Sequence, residues 1–141
     1  WLAHYEKGVP VSIKYEELYL PDFLENSAAD FPNKTALNFQ GYKLTYKMFY
    51  NMANRFSACL DKFGVKKGDA VAILLPNMIP CVAAYYAIMK IGAIAVMNNP
   101  LYSDRELEHQ FNDSGAKLLI TLDLLGNRMI DLRSKTHQTQ S

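Results

Sequence analysis

The chain has 141 residues, of which 50% are hydrophobic and 21% are charged. This composition excludes an intrinsically disordered chain, because a chain of this size and apolar content can bury roughly two thirds of its unfolded surface in one globular core. The 15 basic and 14 acidic side chains leave a formal net charge of +1. Nucleic-acid binding is not expected, since it relies on clustered Lys and Arg side chains that contact phosphates.

The two cysteines, Cys59 and Cys81, are too few for a disulfide framework and have no metal-like spacing, which favours a reducing compartment and predicts a cytoplasmic protein. No pattern typical of a signal peptide opens the chain. The chain starts at Trp1 instead of Met and closes with the polar residues 135–141. We therefore expect a piece of a longer protein, with a polar tail that is either disordered or an artificial end.

The first part of the chain predicts an entry segment, a helix and a hairpin. Residues 1–20 are expected to form an extended amino-terminal segment, after which residues 21–134 form one α/β subdomain. Pro21 can start a short helix and Pro32 can stop it. Two alternating apolar runs flank Gln40-Gly41, which indicates a β-hairpin.

A longer amphipathic helix is predicted after the hairpin. Thr45 can cap its start and Gly64 can end it. Its apolar residues recur at spacings of three and four, so they share one face that should pack into the core. These residues are Phe49, Ala53, Phe56, Leu60 and Phe63.

Residues 70–97 contain one charged residue, Lys90, which raises the alternative of a small membrane-anchored protein. Prolines and glycine interrupt this stretch, so a strand, a helix and a second strand explain it better. Asn77 can cap the helix, Pro80 falls in its first turn, and Gly92 can end it. Both flanking strands, predicted at 71–75 and 93–97, are continuously apolar and are expected to be buried on both faces.

The next segment repeats this unit. Ser103 and Glu106 form a capping box, and Gly115 can end the helix that follows. Residues 117–121 then predict a third strand, which leads into a last amphipathic helix. The order of strands and helices predicts the α/β class: an amino-terminal hairpin and helices, then a βαβαβα unit with a parallel sheet and helices on both faces.

The residues by themselves do not indicate a particular reaction. No glycine-rich loop that could hold phosphate is present, and no serine lies on a nucleophile elbow. His4, His109 and His137 have no His or Cys partner at metal-ligand spacing, so we expect exposed histidines and assign no metal. Asp104, Glu106 and Glu108 are explained by helix capping. No catalytic residue is assigned.

Ligands of parallel α/β sheets bind at the carboxyl ends of the strands, so the residues that follow the first two strands are the candidates for proximity to substrate. Plain turn chemistry explains each of them equally well. The candidates are Pro76, Asn77, Asn99, Pro100, Leu101 and Tyr102.

The order of motifs resembles the AMP-forming acyl-CoA ligases of the adenylate-forming superfamily, from residue 1 to about residue 123. The opening Trp1-Leu2, Tyr5 and Gly8-Val9-Pro10 is similar to that of bacterial long-chain fatty acid-CoA ligases. The other motifs are Leu-Thr-Tyr-Lys-Met-Phe at 44–49, Asn-Arg at 54–55, Gly-Val-Lys-Lys-Gly-Asp at 64–69, Val-Ala-Ile-Leu-Leu-Pro-Asn at 71–77, Lys-Ile-Gly-Ala at 90–93, Asn-Pro-Leu-Tyr at 99–102, Glu-Leu-Glu-His-Gln at 106–110 and Asp-Ser-Gly-Ala-Lys at 113–117.

The resemblance implies a parent enzyme that uses ATP, Mg²⁺ and CoA to convert a fatty acid into acyl-CoA through an acyl-adenylate. It also implies that the phosphate loop, the adenine contacts and the catalytic lysine follow this part, so the fragment is expected to be an inactive scaffold that binds no cofactor. Its partners would be the fatty acid and the rest of the chain. Peripheral association with the inner face of the membrane and a homo-oligomer stay open, as does a free-standing α/β module that binds a nucleotide or another ligand.

The chain departs from the family pattern at three positions. Met48 stands where the family has glutamate, so it cannot return the hydrogen bond of a capping box to the backbone of Thr45. Met97 replaces a usual proline and Asn98 a usual apolar residue. We expect the last two changes to affect only the local backbone.

Overall fold

The computed structural model describes residues 2–136 and contains a two-stranded hairpin and a three-stranded parallel sheet with helices. Of the predicted polar tail, residues 135 and 136 belong to the last helix, and residues 137–141 lie outside the described residues. Two short 3-10 turns occupy Leu2–His4 and Asp123–Leu125. The helices and strands are α1 (Leu20–Asp30), β1 (Thr35–Phe39), β2 (Tyr42–Thr45), α2 (Tyr46–Lys62), β3 (Ala70–Leu74), α3 (Ile79–Lys90), β4 (Ile94–Met97), α4 (Asp104–Ser114), β5 (Leu118–Thr121) and α5 (Gly126–Thr136).

The hairpin is confirmed, and its turn explains why it forms where it does. β1 and β2 are antiparallel and joined by Gln40 and Gly41, whose φ angles are 50° and 86°. Two successive left-handed residues give the turn that matches the twist of the flanking strands, and glycine adopts this conformation without strain. Leu37 pairs with Leu44, which is buried, whereas Tyr42 is exposed.

The parallel sheet has the strand order β4-β3-β5, so β3 is central. All five residues of β3 are buried, as predicted for a strand covered on both faces. The same prediction was wrong for β4, in which Ile94 and Met97 are exposed. The reason is topological: β4 lies at an edge of the described sheet, where nothing covers its outer side.

Helices cover both faces of β3, which confirms the predicted architecture. On one face, Val71 and Ile73 pack against α2 and α3 in a cluster that includes Leu60 and Ile88. On the other face, Leu74 packs against α4 and α5. That second cluster contains Leu107, Met129 and Leu132. A third cluster joins α1 and the hairpin to α2 and α3 through Leu24, Leu44, Phe49 and Ala83.

Several local predictions were wrong, and each error has a local cause. Asn77 does not cap α3, because the helix begins at Ile79 and Met78 occupies the cap position without a side-chain hydrogen bond. Phe63 is exposed, since α2 ends one residue before it. Cys59 is exposed. Cys81 is buried, and burial raises the pKa of its thiol.

The stretch with one charge contains α3, which has only 12 residues. None of the helices within residues 2–136 is long and apolar enough to cross a membrane. The apolar composition of this stretch instead fills the core, since Ala84, Ala87 and Ile88 of α3 are fully buried.

Asp69 ties the amino-terminal ends of β3 and β5 together. Its carboxylate accepts hydrogen bonds from Lys117 Nζ at 2.6 Å and from the backbone N–H of Lys66 at 2.9 Å. The hydrogen bond from Lys117 is the main cause that lowers the pKa of Asp69, and the backbone bond from Lys66 comes next. The ionised carboxylate therefore stabilises the folded chain.

We expect Asp69→Asn to lower the Tm at neutral pH, and the difference from the wild type to shrink under acid. Because the folded pKa of Asp69 is lowered, its contribution is complete above the unfolded value of about 3.9 and is lost as pH falls through the folded value. Thermal unfolding followed by circular dichroism from about pH 7 to about pH 3 measures this. Asp61→Asn is the control, since Asp61 pairs with Lys66 at an exposed site and should matter little. A Tm difference that stays constant with pH would contradict this role of Asp69.

Thr45 caps α2 as predicted, with its hydroxyl oxygen accepting a hydrogen bond from the N–H of Met48 at 3.3 Å. The first turn of α2 has no acidic residue, and the Met48 side chain is exposed. Met48→Glu should raise the stability by about 0.5 kcal/mol, because a carboxylate there interacts favourably with the helix dipole. The Tm should rise by about 2 °C in a thermal melt. Met48→Gln, which has no charge, should give a smaller rise, and an unchanged or lower Tm for Met48→Glu would refute the argument.

Candidate functional site

The predicted site residues lie in two loops at the carboxyl edge of the parallel sheet, which we call the carboxyl-edge loops: residues 75–78 after β3 and residues 98–103 after β4. Pro76 and Asn77 are exposed in the first loop. In the second loop Asn99 and Leu101 are exposed, and Pro100 and Tyr102 are half-buried. No hydrogen bond within residues 2–136 joins these residues of one loop to those of the other.

The second loop is held by its own turn chemistry. Asn99 Oδ1 accepts a hydrogen bond from the N–H of Leu101 at 3.0 Å, and the Asn99 carbonyl accepts one from Tyr102. Leu101 projects from the turn with 90% of its surface exposed. The amide oxygen of Asn99 is therefore used locally, as an Asx turn requires.

The start of α4 completes this edge. The predicted capping box is confirmed: the Ser103 hydroxyl accepts a hydrogen bond from the Glu106 N–H, and the Glu106 carboxylate accepts one from the Ser103 N–H at 2.7 Å. The Ser103 hydroxyl also donates a hydrogen bond to the Glu106 carboxylate at 2.7 Å. This bond, followed by the one from the backbone N–H of Ser103, lowers the pKa of Glu106. Arg128 on α5 donates to Asp104 and to the Tyr102 carbonyl at 2.7 Å each. Glu106 thus serves in capping, as predicted, whereas Asp104 pairs with Arg128, which was not predicted.

Asn98 is the one polar side chain at this edge that is buried without full satisfaction. Only 5% of its surface is exposed. Its amide Nδ2 donates to the Val96 carbonyl at 2.9 Å and points toward the Ile73 carbonyl at 3.5 Å. These two carbonyls fix the orientation of the amide, because the opposite orientation would place oxygen against oxygen. Asn98 Oδ1 has no hydrogen-bond partner within residues 2–136.

The described residues contain no cluster of metal ligands, and the histidines among them lie apart in the sequence. No group of three or more His, Cys, Asp or Glu side chains within residues 2–136 is arranged to hold a metal ion. His4 and His109 are exposed, and His137 lies outside the described residues.

Two cavities in the described part of the chain are well defined, and neither of these two contains a predicted site residue. One, of about 690 Å³, lies beside the edge strand β5 and is lined by Ala72, Phe111, Asn112, Gly115, Ala116, Lys117, Leu118, Leu119, Thr121, Gly126, Met129, Ile130 and Arg133. The other, of about 610 Å³, lies between the hairpin, α2 and α3 and is lined by Tyr42, Leu44, Met48, Asn51, Met52, Arg55, Phe56, Pro80 and Ala83.

Three motifs noticed in the sequence meet in space and have structural roles. Lys90 Nζ at the end of α3 donates to Asn54 Oδ1 on α2 and lies 4.7 Å from the ring centre of Tyr50. At the amino edge of the sheet, Gly68 N–H donates to the Gly92 carbonyl at 2.9 Å. Gly92 has a φ of +73°, and a Cβ there would lie 3.0 Å from Lys67 Cγ. These motifs join helices and turns at the amino edge of the sheet, which is opposite to the carboxyl-edge loops.

The fold and the motifs can now be compared with known proteins. An anthranilate CoA ligase, AuaEII, in complex with anthranoyl-AMP matches with a TM-score of 0.76 and 31% identity over 81% of this chain and 22% of its own. The Klebsiella oxytoca NpsA N-terminal subdomain in complex with 3-hydroxyanthranilyl-AMSN matches with a TM-score of 0.72 and 30% identity over 76% of this chain and 28% of its own. The fold is thus that found at the N-terminal part of adenylate-forming enzymes.

The sequence comparison gives the family. The profile of the AMP-binding enzyme family matches residues 24–141, and the chain belongs to that family. A long-chain fatty acid-CoA ligase of Bacillus subtilis is 40% identical over 134 residues, which are 95% of this chain and 24% of the relative. One of Escherichia coli O157:H7 is 35% identical over 140 residues, 96% of this chain and 25% of the relative. The chain spans about a quarter of the length of these relatives.

Two substitutions at Asn98 test the geometry at the carboxyl edge. Asn98→Leu should raise the free energy of unfolding by about 1 kcal/mol, because it removes a buried oxygen without a partner. It loses the hydrogen bond to the Val96 carbonyl and the long one to Ile73, but the Ile73 carbonyl keeps the backbone N–H of residue 98. Asn98→Asp should lower it, since a carboxylate oxygen would replace the amide donor next to two carbonyls. Urea unfolding of both variants measures the difference. A less stable leucine variant would show that Oδ1 has a partner in solution.

Proposed function

We propose that this chain is the N-terminal quarter of a long-chain fatty acid-CoA ligase. The observation that carries the proposal is the alignment with the Bacillus subtilis ligase, which runs through 95% of this chain at 40% identity. In the proposed reaction, a fatty acid carboxylate attacks the α-phosphate of ATP and releases pyrophosphate. The thiol of CoA then attacks the acyl-adenylate, forms the thioester and releases AMP.

We propose further that this chain does not catalyse the reaction alone. ATP, Mg²⁺ and CoA need a phosphate loop and carboxylate ligands, and the described residues present no cluster of three or more His, Cys, Asp or Glu side chains that could hold a metal ion. The comparison with NpsA supports this, since the match spans only 28% of a subdomain chain solved with an acyl-adenylate analogue. The remaining part of the ligase would supply the groups that hold these molecules.

The role left for this chain is that of a scaffold for the rest of the ligase. Ile94 and Asn98 donate their N–H groups to β3, so the N–H groups of Ala95 and Met97 point outward from β4. On the other side Lys117 donates to β3, so those of Leu118 and Ile120 point outward from β5. Unpaired strand edges of this kind are templates for further strands. The cavity beside β5 then represents core surface that a neighbour would cover.

We place the ligase in the cytoplasm, because both cysteines are free thiols in the structure and the chain carries no disulfide framework. Peripheral contact with the inner face of the membrane is compatible with a substrate that dissolves in lipid. A free-standing nucleotide-binding module is the second candidate. It is disfavoured because neither cavity contains a glycine-rich phosphate loop.

Fatty-acid-dependent exchange of ³²P between pyrophosphate and ATP tests the proposal. The isolated chain should give no exchange above background with palmitate. A fusion of residues 1–141 to the remaining three quarters of the Bacillus subtilis ligase should give exchange that depends on palmitate. The full-length Bacillus subtilis enzyme is the positive control for the assay.

Two results would overturn the proposal in different ways. Robust exchange by the isolated chain would refute the scaffold role. A fusion that is folded by circular dichroism and silent with fatty acids of every length would refute the assignment to a fatty acid ligase. Calorimetry with ATP adds a third check, since micromolar binding to the isolated chain would favour the nucleotide-binding module.

A further inference from the structure

The amino-terminal segment exposes apolar side chains that nothing in this chain covers. Every residue from 3 to 20 is exposed. Within it, Val11, Ile13 and Tyr15 are 72%, 63% and 79% exposed. Within the described part of the chain, no hydrogen bond involves residues 10–15. An apolar segment that neither packs nor pairs indicates a binding surface.

The sequence of this segment has the period of a β-strand with one apolar face. Val9, Val11, Ile13 and Tyr15 alternate with Pro10, Ser12, Lys14 and Glu16, so in an extended conformation the four apolar side chains lie on one side. Pro10 lacks an N–H group and stands near the start of the run, a position that strands tolerate. We call residues 9–15 the entry strand.

The comparisons show which proteins share the entry strand. The family profile begins at residue 24, so the entry strand lies outside it. The alignment with the Bacillus subtilis fatty acid ligase covers 95% of the chain and leaves out only about seven residues, too few to exclude residues 9–15. The entry strand therefore belongs to the part that this chain shares with fatty acid ligases and not to the core of the wider family.

The charge of the amino-terminal segment and the area that it can bury indicate which surface covers the entry strand. Residues 1–20 contain two lysines and three glutamates, so electrostatic attraction to an anionic membrane is absent. A second copy is disfavoured by area, since four apolar side chains bury roughly 500 Å² on one partner, below the roughly 800 Å² per partner of a standard interface between separate chains. Docking within one chain avoids the entropy cost of association, so a small contact suffices.

We propose that the entry strand docks, with its apolar face inward, on the part of the fatty acid ligase that follows residue 141. This inference rests on the proposed function, because that function supplies the missing three quarters of the chain. The surface that receives the entry strand presents apolar side chains and a free strand edge. The first residues of the chain would thereby bind the part of the ligase that follows residue 141.

Hydrogen-deuterium exchange with mass spectrometry tests the docking. In the isolated chain the amides of residues 9–15 should exchange at the rate of an unstructured peptide. In the full-length Bacillus subtilis ligase, and in the fusion of residues 1–141 to its remaining part, the aligned amides should exchange about 100-fold more slowly. Rapid exchange in both full-length proteins would overturn the proposal.

Protection of the isolated chain would also overturn it and would name another occupant. If protection appeared with rising protein concentration together with a dimer in sedimentation, the occupant would be a second copy. If it appeared only with vesicles of phosphatidylcholine and phosphatidylglycerol, the occupant would be lipid. If residues 9–15 are protected from exchange in a fusion that lacks ligase activity, the proposed function is refuted and the docking proposal stands.

Two matched variants separate docking from general stability. In the fusion, Ile13→Asp places a charge on the apolar face and should speed exchange of residues 9–15 about 10-fold, whereas Ser12→Asp on the polar face should leave it unchanged. Neither variant should shift the Tm of the isolated chain, because both side chains are exposed there. Equal effects of the two variants in the fusion would contradict the one-sided docking.

Discussion

The central strand β3 is the element on which the whole structure depends. Its carbonyls alternate between two neighbours, since those of Asp69 and Ile73 accept from the β4 side and that of Ala70 accepts from the β5 side. Its side chains alternate as well, with Val71 and Ile73 facing α2 and α3, and Leu74 facing α4 and α5. Because backbone and side chains of β3 are all engaged within this chain, five buried apolar residues organise two helical layers and two further strands.

The two ends of β3 differ in how far the groups around them are hydrogen-bonded and buried. At the amino end, the hydrogen bonds from Lys117 to Asp69 and from Gly68 to the Gly92 carbonyl fix how the strands start, and Lys90 ties α3 to α2. At the carboxyl end, Asn98 keeps a buried oxygen without a partner and Leu101 projects into solvent. Motifs that make the family recognisable thus build the sheet, while the edge where α/β sheets bind ligands is left incomplete in this chain.

The parts of the fold that could be predicted are those whose signals are local. The continuous apolar run of β3, the Ser103–Glu106 capping box and the Gln40-Gly41 turn each depend on neighbours within a few residues, and all three were predicted correctly. The exposure of β4 could not be predicted, because its composition resembles that of β3 and only long-range pairing decides which strand is central.

The candidate site likewise combines features that could be predicted from local sequence with features that depend on long-range pairing. Sequence reasoning identified both carboxyl-edge loops from the strand order, but it took Asn98 as a change in local backbone only. The available signal was a polar residue at a position where the family has an apolar one. What the sequence lacked was the pair of carbonyls, from Ile73 and Val96, that fix the amide and leave its oxygen unpaired. Since one carbonyl comes from a strand 25 residues away, this constraint exists only once β3 and β4 have paired. The sheet therefore has to form before the polar groups at its carboxyl edge take the positions in which they can contact a ligand or a neighbouring segment.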